Sequence, residues 1–421
     1  MESWQVCSLE EVVKFIDYRG KTPKKTEDGM RLITAKNVKM GYLQSEPMEF
    51  VDPEIYDRWM TRGIPKEGDV LFTTEAPLGN VTQLDTDEKV VFAQRIIVMQ
   101  PNREMLDSTF LKYMLLSNLM QERIRAKGTG ATVQGIKSQL LKKILISFPR
   151  SLLEQKRIVS IVDQAFEGID RAIVNTKKNL ANAHELFESY LNAIFTQEGD
   201  SWVEKKLGKL ASKIGSGATP RGGQNSYQTE GISLIRSLNV HDRRFKEKDL
   251  AFLDDKQAEK LANVIVEEGD VLLNITGASI ARSCISPTEH LPARVNQHVA
   301  IIRPDPSQIS YRFLNYLITS RPYKEKLLFT GDKAGATRQA LTKAQIQDFS
   351  IHFPSLCEQG IIITKLDLLE VETHRLEAIY RRKLAALTEL KQSILQKAFT
   401  GELTADIANQ TTKKAEEAIA A

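Results

Sequence analysis

The chain has 421 residues, of which 42% are hydrophobic and 27% charged, so about two to four soluble domains are expected. The formal net charge of +4 permits nucleic acid as a partner without demanding it, and no apolar run approaches the roughly 18 residues of a membrane helix. Three scattered cysteines, Cys7, Cys284 and Cys357, predict a reducing, cytoplasmic location and argue against a disulfide framework or a zinc cluster.

The sequence repeats itself after about 200 residues. Three motifs carry the repeat: Gly-Asp-Val-Leu at 68–71 and 269–272, Gly-Ala-Thr-x-Gln at 130–134 and 335–339, and a Phe-Pro to Glu-Gln junction at 148–155 and 353–359. Solenoid repeats recur at roughly 20 to 50 residues. A domain-sized interval therefore indicates that a whole unit is duplicated, and such a protein is expected to bind something that itself has two sites.

Each half opens with a predicted mixed α/β domain, at 1–150 and 200–354. Short apolar runs bounded by Gly and Pro predict strands, and apolar residues at helical spacing predict a helix after them. The predicted strands are 70–72, 90–92 and 96–99 in the first copy and 271–273 and 299–302 in the second. The predicted helices run from Phe110 to Arg125 and from about Tyr311 to Leu328.

Each half ends in a predicted long helix, at 151–199 and 355–402, and a polar tail follows at 403–421. Both helices open with Ser-x-x-Glu, which is typical of a helix N-terminus, and both lack proline. Apolar residues recur every three or four positions, among them Leu186, Tyr190 and Leu390. A helix of about 45 residues is roughly 65 Å long, so we predict that the two pair antiparallel as a coiled-coil-like spacer. The alternative is that each helix only caps its own domain.

The chain lacks the common catalytic signatures. A segment resembling a phosphate-binding loop at 130–138 has Ile136 where lysine must follow the glycine. Dinucleotide-binding, zinc-hydrolase and serine-hydrolase motifs are absent from the sequence, as is the Asn/Asp-Pro-Pro-aromatic tetrapeptide of amino-methyltransferases. We predict a protein that is not an enzyme, without catalytic residues or a metal site.

Three polar loops occur at equivalent places in both halves: loop A at 34–37 and 236–239, loop B at 93–95 and 296–298, and loop C at 127–134 and 333–339. Arg, Lys, Asn and Gln read base edges, and Gly and Thr suit phosphate oxygens, so the loops predict a DNA interface. The alternative is structural, with these side chains satisfying strand ends or helix caps. The predicted contacts are, for loop A, Lys36, Asn37, Arg236 and Asn239; for loop B, Gln94, Arg95, Arg294, Gln297 and His298; and for loop C, Lys127, Thr129, Thr132, Gln134, Lys137, Lys333, Thr337, Arg338, Gln339 and Lys343.

Together, the duplicated halves, the three motifs and the long helices resemble the specificity (S) subunit of type I restriction-modification enzymes, over residues 1 to about 403. The resemblance implies two target-recognition domains, at 1–150 and 200–354, that read a bipartite, asymmetric site in double-stranded DNA. It implies assembly with two modification (methyltransferase) subunits, which bind S-adenosylmethionine, and with restriction subunits, which use ATP and magnesium. None of these cofactors is expected on this chain, and no membrane partner is expected.

The two copies differ most in their recognition parts. Residues 18–23 and 75–78 share little with their counterparts at 215–220 and 276–279, which suits two half-sites of different sequence. One rival hypothesis is a non-DNA scaffold, in which the paired helices organise partner proteins and the domains bind peptides. A lone nuclease is disfavoured because no paired acidic cluster appears in both halves.

Overall fold

The computed structural model describes residues 4–18, 22–130, 134–332 and 340–403. It divides into two compact units. Unit 1 is formed from Met1–Lys177 and Arg382–Ala421, and unit 2 from Lys178–Arg381. Each unit holds one mixed α/β domain and one segment of each of two long helices.

Unit 1 begins with three small sheets and short helices. Its strands are β1 (Trp4–Ser8), β2 (Val13–Asp17), β3 (Lys25–Thr26), β4 (Met30–Ile33), β5 (Glu49–Val51), β6 (Val70–Thr73), β7 (Val81–Gln83), β8 (Val91–Phe92), β9 (Ile96–Pro101) and β10 (Leu145–Pro149). Its helices are α1 (Leu9–Val12), α2 (Tyr56–Trp59), α3 (Ser108–Leu116), α4 (Asn118–Ala126), α5 (Ser138–Lys142) and the long α6 (Leu152–Thr196), which continues into unit 2, with a 3₁₀ turn at Pro53–Ile55.

Unit 2 repeats this order. Its strands are β11 (Val203–Lys206), β12 (Ala211–Ser216), β13 (Ile232–Ile235), β14 (Val240–His241), β15 (Arg244–Phe245), β16 (Ala251–Leu253), β17 (Ile265–Val266), β18 (Val271–Asn274), β19 (Ser283–Ile285), β20 (Ala293–Val295), β21 (Val299–Pro304) and β22 (Ser350–Phe353). Its helices are α7 (Leu207–Leu210), α8 (Asp255–Glu259), α9 (Tyr311–Thr319), α10 (Arg321–Asp332), α11 (Lys343–Asp348) and the long α12 (Leu356–Thr400), which continues into unit 1, with 3₁₀ turns at Gly223–Ser226, Ala262–Val264, Gly277–Ser279 and Thr288–His290.

The antiparallel sheets of the two units correspond strand by strand, with the order β2-β9-β6-β7 in unit 1 and β12-β21-β18-β19 in unit 2. A mixed sheet has the order β3-β5-β4-β8 in unit 1 and β16-β13-β20-β17 in unit 2. The mixed sheets share three strands, β5-β4-β8 and β16-β13-β20, to which unit 1 adds β3 at one edge and unit 2 adds β17 at the other. In the mixed sheets β4 is parallel to β8, and β13 is parallel to β20. The prediction of two related α/β domains is confirmed.

Both faces of the antiparallel sheet are buried at β6 and β18, which explains the consecutive apolar residues of these two strands. On β6, Val70 and Phe72 pack in the core beneath the helices, and Leu71 points into the core shared with the mixed sheet. On β18, Val271 and Leu272 divide between two cores in the same way. Because successive side chains of a strand point to opposite faces, an apolar run covers both sides at once.

Each predicted helix in the middle of a domain is two helices in the structure, so that prediction was wrong. Ser117 lies between α3 and α4, and Ser320 lies between α9 and α10. Ser117 has extended backbone angles, φ −66° and ψ 146°, and its hydroxyl accepts a bond from Met120 N at 3.4 Å. Ser117 therefore caps the start of α4 instead of continuing α3. The apolar spacing continues across this break, so the sequence pattern alone does not reveal it.

The long helices α6 and α12 have 45 residues each. In unit 1 the first part of α6, with Ile158 and Val162, shares a core with Leu395 and Ala398 near the end of α12. In unit 2 the relation is reversed: Phe187, Leu191 and Phe195 from the last part of α6 share a core with Ile363 and Leu366 from the first part of α12. The segments are antiparallel within each unit, as predicted.

Some predicted contact residues of the long helices face solvent. Leu186 is 53% exposed, Tyr190 39% and Leu390 47%, so these three assignments were wrong. Thr176 and Glu377 are buried instead. Apolar content alone does not locate a contact stripe when small and polar residues also take part in it.

The Glu-Gln junction fastens each long helix to its own domain. Gln155 Oε1 accepts from Asp107 N at 2.8 Å, and its Nε2 donates to the carbonyls of Met105 and Pro149 at 2.9 and 2.7 Å. Gln359 makes the same bonds in unit 2, accepting from Ser310 N and donating to two carbonyl oxygens. Both glutamines are fully buried, so the repeated motif has a structural cause.

The Ser-x-x-Glu motifs that begin α6 and α12 make only the serine bond of a capping box, in which serine and glutamate side chains would both bond to the backbone. Ser151 and Ser355 each accept a bond from the backbone N–H three residues later, at 3.3 Å. The carboxylate of Glu154 lies near Arg157, and that of Glu358 accepts from Ser201.

Among the described helices, none is both long and apolar enough to cross a membrane. The predicted tail lies outside the described residues, except for Leu403.

Candidate nucleic-acid interface

Loops A and B of unit 1 meet at one edge of the mixed sheet. They follow β4 and β8, which are parallel neighbours, and Ala93 N donates to Ile33 O at 3.0 Å. The loops border a cavity of about 270 Å³, which we call the unit 1 cleft. The predicted residues Lys36, Gln94 and Arg95 all line it. The cleft is lined by Thr22, Lys25, Thr34, Ala35, Lys36, Glu49, Ala76, Ala93, Gln94 and Arg95.

Loop C joins the same region through the turn that follows β6. Ile136 N donates to Thr74 O, and Thr74 N donates to Arg95 O, both at 2.9 Å. Thr129 and Gly135 exchange backbone bonds that close the loop. The structure therefore brings together three loops that are far apart in sequence. The predicted side chains of Lys127, Thr129, Gln134 and Lys137 are exposed, and Thr132 lies outside the described residues.

Two carboxylates that the sequence did not single out lie among the basic residues. Lys25 Nζ lies 2.8 Å from a Glu49 oxygen, and Lys36 Nζ lies 3.8 Å from the other. Glu75 Oε1 lies 3.0 Å from Arg95 Nε. Glu49 comes from β5 and Glu75 from the turn after β6. Sequence reasoning missed them because it looked for basic and amide side chains; the divergence at 75–78 was the available signal for Glu75.

The two loop A asparagines are structural, which corrects their prediction as DNA contacts. Asn37 is 1% exposed; its Oδ1 accepts from Thr34 N at 2.9 Å and its Nδ2 donates to Gln44 O at 3.1 Å. Asn239 is fully buried and makes the equivalent bonds to Arg236 N and Lys246 O, at 3.0 and 2.8 Å. Their side-chain groups hold loop A in shape and are not available to a ligand.

Two predicted arginines of unit 2 are also used within the domain. Arg294 is 7% exposed and donates to the carbonyls of Ala258 and Ala293 at 3.1 and 3.0 Å. Burial lowers the pKa of this guanidinium. Arg236 donates to Asp249 O and lies over the Tyr227 ring, 5.2 Å from its centroid. The prediction of a DNA contact does not hold for Arg294 in this structure.

Unit 2 keeps the backbone frame of the site and changes its side chains. Asn296 N donates to Ile235 O and Ile275 N donates to His298 O, at 3.1 and 3.0 Å, which repeats the bonds of unit 1. Leu341 N donates to Ile275 O at 2.9 Å, so loop C is attached at the same point. The place of the Glu75–Arg95 pair is taken by Thr276 and His298, whose Oγ1 and Nδ1 atoms lie 2.6 Å apart.

The remaining predicted DNA contacts of unit 2 are either exposed or lie outside the described residues. Gln297 is exposed and accepts a bond from Thr219 Oγ1, beside a cavity of about 550 Å³ lined by Thr219, Pro220 and Lys260 among others. Lys343 is exposed in the first turn of α11. The predicted contacts Lys333, Thr337, Arg338 and Gln339 lie outside the described residues. The DNA contacts of the exposed residues in both units stay predictions.

One group of side chains in unit 2 has the spacing of metal ligands. Single ligand atoms of Glu247, Glu289 and His290 lie within 4.8 Å of one another. Both glutamates are exposed, and exposed acidic groups of this kind are common without an ion. The group lies outside the three loops.

The structure thus defines a duplicated α/β protein with equivalent polar loop sites and paired long helices. The family described as type I restriction modification DNA specificity domain matches residues 1–182 and 199–383. The chain belongs to this family, and it is a specificity subunit.

Two specificity subunits of type I restriction enzymes illustrate the relationship. StySPI from Salmonella potsdam is 23% identical over 437 residues, which cover 96% of this chain and 90% of the relative. EcoBI from Escherichia coli is 25% identical over 344 residues, which cover 76% of this chain and 70% of the relative.

Solved structures share the fold. A chain solved to explain complex assembly and conformational transition of the type I R-M system has a TM-score of 0.73 at 21% identity, covering 95% of this chain and 98% of that one. The HsdS subunit of Thermoanaerobacter tengcongensis has a TM-score of 0.58 at 21% identity, covering 95% and 97%. The agreement over whole chains confirms the fold class predicted from the repeat.

Proposed function

We propose that this chain reads a bipartite, asymmetric site in double-stranded DNA, one half-site with the loops of each unit, and scaffolds two modification subunits and restriction subunits. One observation carries the proposal. The same backbone frame joins loops A, B and C in both units, and the side chains placed on it differ. A constant frame with variable polar side chains suits the reading of two different base sequences.

In this proposal the chain is a non-catalytic recognition subunit in the cytoplasm. S-adenosylmethionine would be bound by the modification subunits, and ATP and magnesium by the restriction subunits. The relatives are named as specificity subunits of restriction enzymes, which supports the assignment of catalysis to other subunits. The rival non-DNA scaffold makes the opposite prediction, that a host's methylation pattern does not depend on this chain.

Removing the charge of Lys36 or Lys137 is expected to weaken DNA binding and its dependence on salt. Both side chains are exposed on the loops. If each contacts one phosphate, the negative slope of log K against log salt becomes shallower by about 0.9 in the corresponding alanine variant. Binding isotherms of the assembled complex at several salt concentrations measure the slope. Lys14→Ala, an exposed lysine on β2 of the same unit outside the loops, is the control, and slopes equal to wild type for all three variants would reject the assignment.

The number of base pairs between the half-sites is expected to depend on the long helices. Helix α6 runs without interruption through residues of both units. Removing four residues, about one helical turn, from 170–190 of α6 and four from the equivalent 374–394 of α12 should shorten the recognised spacer while leaving both half-sites unchanged. Methylation mapping measures the spacer. An unaltered motif in a folded variant contradicts this role of the helices.

A further inference from the structure

Arg95 is held in the unit 1 cleft by bonds at both its backbone and its side chain. Its carbonyl accepts from Thr74 N at 2.9 Å, and its Nε lies 3.0 Å from Glu75 Oε1. The Arg95 and Glu75 side chains are 44% and 46% exposed. Ion pairs at this exposure contribute little to stability, so the pair fixes the direction of the guanidinium more than it strengthens the fold.

Arg95 and Ala76, the residue that follows Glu75, both have uncommon backbone angles. Arg95 has φ 80° and Ala76 has φ 44°, angles that an L-residue with a Cβ adopts at a cost. The unit 2 residue equivalent to Ala76 is Gly277, with φ 74°, which has no Cβ to clash. Both units therefore keep a positive φ at the position of Ala76, whereas the positive φ of Arg95 is not shared by its unit 2 equivalent, His298. Strain that the fold does not require is typical of functional sites.

The immediate surroundings of Arg95 suit a base edge better than a phosphate. Within the described residues the guanidinium of Arg95 is engaged at Nε by Glu75, which leaves its two Nη groups to donate. Two parallel donors match O6 and N7 of guanine in the major groove. The carboxylate of Glu75 lies against Arg95 and would repel a phosphate there, whereas base edges offer donors as well as acceptors.

We propose that Arg95 reads a guanine in the half-site bound by unit 1, and that Glu75 is the positioning residue that orients it. This inference rests on the proposed function and adds a base identity to it. In unit 2 the equivalent Thr276–His298 pair presents a different set of groups, so the other half-site carries no such requirement at the corresponding position.

The half-site read by unit 2 serves as the internal control for substitutions in unit 1. The full chain, assembled with its modification subunits, is used to map the methylation motif of wild type and of Arg95→Ala, and to measure binding to duplexes that carry each base pair at each motif position. We expect Arg95→Ala to lose discrimination at one G·C position of one half-site, by about 10- to 100-fold. The second half-site should stay unchanged, which shows that the variant is folded.

Glu75 is tested separately, because its role acts through Arg95. Glu75→Ala should lose discrimination at the same position although the arginine is present, while binding to unrelated duplexes stays equal or rises, since a negative charge is removed. Glu75→Gln keeps an acceptor for Nε and should retain most of the discrimination. Loss of binding to all sequences alike in Glu75→Ala would mean a merely structural role and would overturn the assignment.

An arginine outside the cleft provides a matched control for Arg95→Ala. Arg321→Ala in unit 2 removes an exposed arginine whose Nε also contacts a glutamate, Glu325, at 2.8 Å, and it should change neither half-site. If Arg95→Ala weakens all duplexes equally and lowers the salt slope, Arg95 contacts phosphate and the inference is wrong. An unchanged motif is equally contrary. If the wild-type chain directs no methylation motif at all, the proposed function itself fails.

Discussion

Replacing Gln359 by alanine is expected to lower the free energy of unfolding of unit 2 by about 3 kcal/mol. The side chain is fully buried and satisfies three backbone groups: Ser310 N at 2.8 Å, Gln308 O at 3.2 Å and Pro354 O at 2.9 Å. The substitution removes all three bonds and leaves buried donors and acceptors without partners, which costs more than the bonds themselves contribute. Gln155→Ala should have a similar effect on unit 1, because its bonds are equivalent.

Two controls separate hydrogen bonding from volume and from the neighbouring motif residue. Gln359→Met keeps most of the volume and should remain strongly destabilised, since methionine cannot make these bonds. Glu358→Ala changes the adjacent motif residue, which is partly exposed, and should cost about 0.5 kcal/mol. Denaturant unfolding gives the free energies, and hydrogen exchange of the 305–312 and 354–360 segments localises the change. A Gln359→Ala variant as stable as Glu358→Ala would show that the junction is not a stabilising joint.

Arg303→Ala is expected to destabilise unit 2 by about 3 kcal/mol, whereas Arg103→Ala costs less than about 1 kcal/mol in unit 1. Both arginines serve the aspartate of a Gly-Asp-Val-Leu motif. Arg303 forms a bidentate pair with the fully buried Asp270, with Nε at 2.8 Å and Nη2 at 2.9 Å from its oxygens. These bonds raise the pKa of the Arg303 guanidinium. Removing Arg303 leaves a buried carboxylate without its counter-charge.

The arginine pair of the corresponding aspartate in unit 1, Asp69, is weaker for a geometric reason. Arg103 is 59% exposed and one of its nitrogens lies 3.5 Å from Asp69. Both aspartates accept a backbone bond, Asp69 from Lys66 N at 2.8 Å and Asp270 from Glu267 N at 2.7 Å. Asp69 also accepts from the Gln100 side chain at 2.6 Å, so it keeps a side-chain partner when Arg103 is lost. Parallel denaturant unfolding of the two variants measures the difference. Equal losses of stability would mean that burial of the pair does not control its contribution.

The strands and the long helices were predictable because their signals are local. Buried strands such as β6 and β18 begin with three consecutive apolar residues, and the serine of each Ser-x-x-Glu motif lies directly before α6 or α12. The split at Ser117 escaped prediction because a single serine can cap a helix without interrupting the apolar spacing around it. The apolar spacing therefore does not show whether one helix continues or a second helix begins.

The candidate site was only partly predictable, and Asn37 shows why. Asparagine is a good reader of adenine, so its residue type suggests a DNA contact. The same side chain also stabilises turns, and in the structure it bonds to the backbone groups Thr34 N, Gln44 O and Pro47 O. Residue type alone does not distinguish the two uses, whereas burial does.

The duplicated α/β chain and its two long helices could be predicted from the amino-acid sequence alone, because the repeat and the helical periodicity can be seen without knowing which residues meet in space. Which polar side chains reach solvent, and which acidic side chains lie beside them, depends on the packing of the folded chain. Glu49 and Glu75 meet Lys36 and Arg95 because β4 lies parallel to β8 and beside β5, so residues far apart in the chain reach one edge of a sheet. That juxtaposition depends on strand pairing at long range, which no local pattern encodes.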